Sequence, residues 1–258
     1  MPCILVDREG PVLRLTLNRP DVRNAFDEEV IAALSSALVR VPEDPSIRAV
    51  VLAGAGKAFC AGADLAWMTK AIGYTLRENL SDAEDLARML ERLDTLPVPV
   101  IGRIQGAVFG GGVGLAASCD IVVAAEDAVF ALSEVKLGIV PAVISPYVLR
   151  KIGVSAAREL FVSGSRFGVQ RARDIGLVHD VVPEAELDAA VARRIADVVT
   201  SSPAAIASAK ALIREIAYKH PEDVIGFTTS TIAAQRVSPE GQEGMRAFLE
   251  KRRPGWTA

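Results

Sequence analysis

Two stretches decide how the chain reads: Lys57-Ala58-Phe59-Cys60-Ala61-Gly62-Ala63-Asp64-Leu65 and Gly106-Ala107-Val108-Phe109-Gly110-Gly111-Gly112. Each follows a short apolar run, residues 48–53 before the first and 98–104 before the second, that reads as a buried strand. Each leads into a helical pattern, so both are glycine-containing strand-to-helix turns. The first N–H groups of a helix have no partner inside the helix, and the aligned peptide dipoles add positive character there. If the two turns lie side by side, one N–H from each could hold a single oxygen that gains negative charge, a pair whose loss of one donor costs about 3–4 kcal/mol of transition-state stabilisation. The structural alternative is that the glycines supply positive φ or close backbone packing. Neither stretch contains G-x-x-x-x-G-K-[ST], and position 115 is Leu where a dinucleotide G-x-G-x-x-G pattern requires a third glycine.

Outward from these turns, strands alternate with helices in the N-terminal part. Residues 4–6 and 12–17 flank Glu9-Gly10-Pro11 and predict a β-hairpin. Asp27 is placed to cap a helix with the apolar stripe Val30, Ile31, Leu34, Leu38 and Val41. A helix over 77–96 ends at Pro97 and Pro99, a short helix runs to about Ser118, and 121–125 and 129–131 are strands. Beyond residue 144, apart from a strand over 177–182, the pattern predicts consecutive helices at 184–199, 203–218, 222–236 and 239–250. The expected organisation is an α/β part, residues 1–200, followed by a helical part, residues 201–258. No fixed-period repeat or low-complexity linker interrupts it.

Of the 258 residues, 50% are apolar and 24% charged, the balance of a globular protein. The net charge of -3 provides no broad basic field for nucleic acid or an anionic membrane. Cys3, Cys60 and Cys119 form no C-x-x-C spacing, His179 and His220 have no metal-ligand spacing partner, and no uncharged run is long enough to span a bilayer. A soluble, reduced, cytoplasmic protein without metal is the expectation.

Several segments carry a resemblance. Ala58-Phe59-Cys60-Ala61-Gly62-Ala63-Asp64-Leu65, Gly110-Gly111-Gly112-Val113-Gly114-Leu115-Ala116, Cys119-Asp120-Ile121, Leu132-Ser133-Glu134-Val135-Lys136-Leu137-Gly138-Ile139-Val140-Pro141 and Phe248-Leu249-Glu250-Lys251-Arg252 follow one another in the order of the enoyl-CoA hydratase/isomerase (crotonase) family. The resemblance implies a repeated ββα spiral core with a C-terminal helical trimerisation region, and a homotrimer or homohexamer. It implies an acyl-CoA substrate of fatty-acid or branched-chain amino-acid breakdown, with no cofactor beyond the coenzyme A of the substrate itself.

By motif, the resemblance places the oxyanion donors at the N–H groups of Ala61 and Gly111. It places the substrate nucleotide along Ala61, Gly62, Ala63, Asp64 and Leu65, with Phe248 and Lys251 of a neighbouring subunit over it. Glu134 matches one of two glutamates that hydratases use; the other would fall at position 114, which is Gly114. A single carboxylate suits proton transfer between C2 and C4, as in Δ3,Δ2-enoyl-CoA isomerases. The stretch around Pro141-Ala142-Val143-Ile144-Ser145-Pro146-Tyr147 looks most like bacterial hydratases of methylglutaconyl-CoA-type substrates. Hydration is therefore the first expectation and isomerisation the second. A CoA-binding protein without turnover and an RNA-binding protein are the readings outside enzymology. Trp67, Met68, Phe109 and Val140 are candidates for the acyl pocket, with core packing as the alternative.

Overall fold

The Gly10-Pro11 turn, with Gly10 at φ +57°, closes an antiparallel hairpin of β1 (Ile4–Glu9) and β2 (Val12–Leu17) in the register Glu9↔Val12 to Ile4↔Leu17. The computed structural model describes residues 1–257. To β2 are added, all parallel, β3 (Ala49–Gly54), β4 (Val100–Ile104), then the strand Ile121–Ala125 and finally Asp180–Val182. Every residue of β3 is buried, which explains its unbroken valine-rich run: both faces of the sheet are covered.

A second, smaller sheet lies beside the first. It pairs β5 (Ala107–Phe109) parallel with β7 (Val129–Ala131), and β7 antiparallel with β8 (Arg166–Gly168). Between them in sequence, β6 (Ile121–Ala125) belongs to the large sheet, as does the last strand β9 (Asp180–Val182). The chain thus places β4 in the large sheet, β5 in the small one, and turns into a helix; β6 and β7 repeat the step. This is the ββα spiral. The three-residue strands β5 and β8 were not expected from the sequence; each is made by pairing with β7, a segment distant in the chain. The strand expected over 177–182 begins only at Asp180, since the N–H groups of Leu177 and Val178 turn back to Ala172 O.

Helices are bounded by the residues that satisfy their ends. Asp27 Oδ1 accepts from Val30 N–H at 3.0 Å and opens α1 (Glu28–Arg40), whose Val30, Ile31, Leu34 and Leu38 are buried. Asp64 caps α2 (Leu65–Ile72), and Thr75 with Glu78 forms a capping box on α3 (Leu76–Thr95). The short α4 (Gly111–Ser118) is buried along nearly its whole length. Then follow α5 (Ser145–Ser163), bent at Gly153 with φ +73°, α6 (Val169–Asp174) and α7 (Leu187–Val199). Residues 200–202 lead into α8 (Pro203–Ile216), α9 (Pro221–Val237) and α10 (Pro239–Leu249), each opened by a first-turn proline. Two cations fasten this helical part to the sheet. Lys210 reaches Asp120 and Val98 O, and Arg48 donates to Val199 O, Ser201 O and Trp256 O.

Asn24 joins the loops that leave β2 and β3. It is 1% exposed and sits at φ +55°. Its Oδ1 accepts from Arg19 N–H, and its Nδ2 donates to Ala55 O and Ala58 O, each at 2.8 Å. Asn24→Ala leaves one buried and two partly buried backbone groups unpaired and is expected to cost about 2–4 kcal/mol in urea unfolding, with an unchanged m-value.

Candidate active site

The two glycine turns lie against each other because the chain after β3 runs alongside β5. Cys60 N–H donates to Ala107 O at 3.1 Å, and Phe109 N–H donates to Cys60 O at 3.0 Å. The approach leaves no room for side chains. A Cβ at Gly62, which has φ +94°, would stand 2.9 Å from Phe109 O, and one at Gly112 would stand 2.4 Å from Cys60 O. At Gly111 it would meet the Phe26 ring at 2.1 Å. The close-packing reading of the glycines therefore holds, and this packing is what brings the turns side by side.

That packing leaves the N–H groups of the two turns in different states. Ala61 N–H is already engaged, donating to Arg23 O at 3.0 Å, so it is not the free group expected from the motif. The reason is the fold of the 18–26 loop, which lies along the first turn and also pairs Phe26 N–H with Gly62 O and Asp64 N–H with Phe26 O. Among the described residues, no acceptor is found for the N–H of Ala63, between those two bonds, or for that of Gly111, the first residue of α4. Ala63 and Gly111 line one cleft, of about 400 Å³.

Glu134 enters the same cleft from the 3-10 turn that follows β7, Glu134–Leu137, which Gly138 closes in the left-handed region at φ +76°. The carboxylate rests beside the Gly110 backbone, where a Cβ would be 3.1 Å from Glu134 Oε1. Its Oε2 is buried and has no hydrogen-bond partner. Burial pushes the Glu134 carboxyl above the usual carboxylate range, and its own backbone N–H only partly opposes this. A carboxyl raised in this way and facing a cleft is better suited to taking up and returning a proton than an ordinary exposed one. Among the described residues lining the cleft, Glu134 is the only ionisable one.

The remaining walls are apolar. Trp67 is 8% exposed, fixed by its indole N–H donating to Asp82 at 3.0 Å and by the Phe26 ring 5.9 Å away. Met68, Phe109 and Val140 also line the cleft, Val140 from its exposed rim. Gly114 does not line it. A Cβ at 114 would lie 2.3 Å from Ile144 Cγ2, so the Ile144 side chain already fills the space that a longer residue on α4 would occupy. Ile144 itself is 3% exposed and forms part of the cleft wall.

Other singled-out residues fall elsewhere. The Asp64 side chain is occupied as a cap. Burial alone would raise its carboxyl, but the N–H groups of Ala66 and Trp67 and the Arg19 guanidinium outweigh this and hold it low. Leu65 stands on the rim, 79% exposed. Phe248, 82% exposed, and Lys251, at φ +54° just past α10, line no part of their own chain's cleft. Cys60 is wholly buried and its thiol is pushed up to about 12 by desolvation, which removes it as a nucleophile. His179 Nδ1 accepts from Val122 N–H at 2.9 Å and serves the sheet. Sequence reasoning missed Phe26, Ser133 and Ile144 as cleft residues. Ser133 precedes Glu134 in its motif and could have been found there; Phe26 is brought to Gly111 only by the tertiary fold.

Gly111→Ala is expected to displace the Phe26 ring or the start of α4, seen as a lowered Tm with weakened ligand binding. Glu134→Gln is expected to raise stability at pH 7–8. A carboxyl with a raised folded-state pKa binds its proton more tightly in the folded than in the unfolded chain, so stability falls as pH rises through the window above the unfolded value. Thermal melts across pH should therefore show the gain of Glu134→Gln shrinking as the pH drops toward that unfolded value.

Comparison with known proteins bears on the family and the fold. The family model described as enoyl-CoA hydratase/isomerase matches residues 7–258. The chain is 34% identical over 253 residues to the 2,3-dehydroadipyl-CoA hydratase of Escherichia coli K12, covering 97% of each chain. The crystal structure of an enoyl-CoA hydratase from Shewanella pealeana superposes with a TM-score of 0.95 at 41% identity, covering 98% of this chain and 96% of that one. An enoyl-CoA hydratase from Mycobacterium smegmatis gives 0.94 at 36% identity, with all of both chains covered. With its ββα spiral, its paired glycine turns and Glu134 in the cleft they form, the chain belongs to the enoyl-CoA hydratase/isomerase family.

Proposed function

We propose that this protein adds water across the C2–C3 double bond of a 2-enoyl-CoA, with Glu134 as acid and base and the N–H groups of Ala63 and Gly111 as the oxyanion hole. The observation that carries the reading is the partnerless Glu134 Oε2, buried in the cleft lined by two N–H groups that have no acceptor in the chain. The thioester oxygen bridges the two N–H groups. Glu134 takes a proton from water as the water oxygen bonds to C3, and the π electrons move to form the C1 enolate. Ala63 and Gly111 stabilise the charge that appears on that oxygen. Glu134 then returns its proton to C2, and the enolate collapses to the 3-hydroxyacyl thioester. One carboxylate completes the cycle, with the proton leaving and arriving from the same group.

Isomerisation is the second reading, favoured by one observation: Ile144 stands against Gly114, so the cleft has no second carboxylate to orient water. In that reaction Glu134 moves a proton from C2 of a 3-enoyl-CoA to C4, through a dienolate held by the same two N–H groups. The nucleotide end of the substrate extends past the cleft rim. Phe248 and Lys251 cover it from a neighbouring protomer of a homotrimer or homohexamer, with the Lys251 ammonium as a point charge for a phosphate.

Conjugated-enoyl absorbance separates the two reactions. Crotonyl-CoA should lose it, and Glu134→Gln should slow that loss by roughly a hundredfold to ten-thousandfold, the range of a positioned acid/base. Gain of absorbance from a 3-enoyl-CoA, with crotonyl-CoA unchanged, would establish the isomerase instead. In either case kcat/KM should fall as pH drops through the raised Glu134 pKa, since the base must be ionised, and this limb should be missing in Glu134→Gln.

A further inference from the structure

The cleft wall has a charge pattern that bears on the acyl group. Resting on the reading that the acyl chain lies in this cleft, we propose that the acyl subsite takes only uncharged, apolar acyl chains and excludes acyl-CoAs that carry a second, distal carboxylate. This differs from the methylglutaconyl-type substrate suggested by the local sequence.

Beside the Gly111 donor stands Phe26, 2% exposed, with Trp67 packed on it and Ile144 forming more of the same wall. No Lys, Arg or His is among the described residues lining the cleft. Four cations stand nearby, and none of them lines the cleft. Arg19 lies between Asp27 and Asp64, and Lys70 is paired with Glu28. Lys136 lays its methylenes against Gly164. Arg166 is exposed and stands over the Phe109 ring, 5.3 Å from its centroid.

A distal carboxylate in this cleft would give up hydration and meet no counter-charge among the described lining residues. The Ser133 hydroxyl is the one side-chain donor there besides the Trp67 indole, which is already bonded to Asp82. A desolvated carboxylate without a counter-charge is strongly disfavoured. Glu134 adds a second obstacle, because the only ionisable group present has the same sign. A terminal methyl loses nothing on entering and gains contact with Trp67 and Ile144. The Escherichia coli relative is named for a dehydroadipyl thioester, which does carry a distal carboxylate. The proposal therefore separates this chain from that relative within one family.

The test uses calorimetric binding of two unreactive thioesters of equal chain length, hexanoyl-CoA and adipoyl-CoA, to the wild-type protein, with free CoA as the reference. Hexanoyl-CoA is expected to bind more tightly than free CoA and roughly a hundredfold more tightly than adipoyl-CoA, as an unpaired buried charge requires. Met68→Lys, which puts an ammonium on a partly exposed lining position, should narrow that ratio by at least about tenfold. Arg166→Ala should leave the ratio unchanged. Adipoyl-CoA binding as tightly as hexanoyl-CoA would overturn the proposal while leaving the cleft as the acyl site, and loss of that binding in Arg166→Ala would identify the cation responsible. If neither thioester bound better than free CoA, the acyl assignment of the cleft would fall as well.

Discussion

The contact on which the rest of the structure depends is the one between two peptide segments, the turn after β3 and the strand β5. Backbone groups of Cys60 bond to Ala107 and Phe109, and at Gly62, Gly111 and Gly112 even a methyl group would collide with a neighbour. This spacing brings the start of α4 beside the first turn and places its opening N–H in the same cleft as that of Ala63. It also explains how the large and small sheets share one core: the first turn acts as a partial strand beside β5, through the Cys60–Val108 bridge. A looser packing would preserve the strands but separate the donors.

Glu134 shows the opposite relation between fold and site. Nothing in the packing rewards its position; one carboxylate oxygen is buried without a partner, and desolvation raises its proton affinity. Such a group lowers stability at neutral pH and persists in a structure whose other polar groups are well satisfied. Asp64, a short distance away, is a carboxylate of the other kind, with two helix N–H groups and a guanidinium around it. One is held low by its partners, and the other keeps its proton more tightly because one oxygen has none. The difference lies in the partners each finds, not in the side-chain chemistry.

The C-terminal helices are tied to the sheet at two points, Lys210 on Asp120 and Arg48 on the chain before α8 and near Trp256. They leave Phe248 and Leu249 in solvent, at 82% and 78% exposed. No helix among the described residues is long and apolar enough to cross a membrane. The proposed covering of the substrate by a neighbouring protomer would draw on this exposed apolar face.

The sequence by itself determined the alternation of strands and helices, the caps at Asp27 and before Pro97, the family, and Glu134 as the acid/base candidate. These are local matters: periodicity, end-capping and motif order are written within a few residues of one another. It also recorded that position 114 holds no carboxylate. Only the tertiary structure decided which N–H groups are left without acceptors, because Ala61 is claimed by Arg23, a residue 38 positions earlier in the chain. It alone showed that Ile144 fills the volume next to Gly114, that Phe26 backs Gly111, and that no cation is among the described residues lining the cleft. The short strands β5 and β8 belong with these. Each is made by pairing with a distant segment, and free donors, filled volumes and absent charges are likewise properties of what the fold brings together.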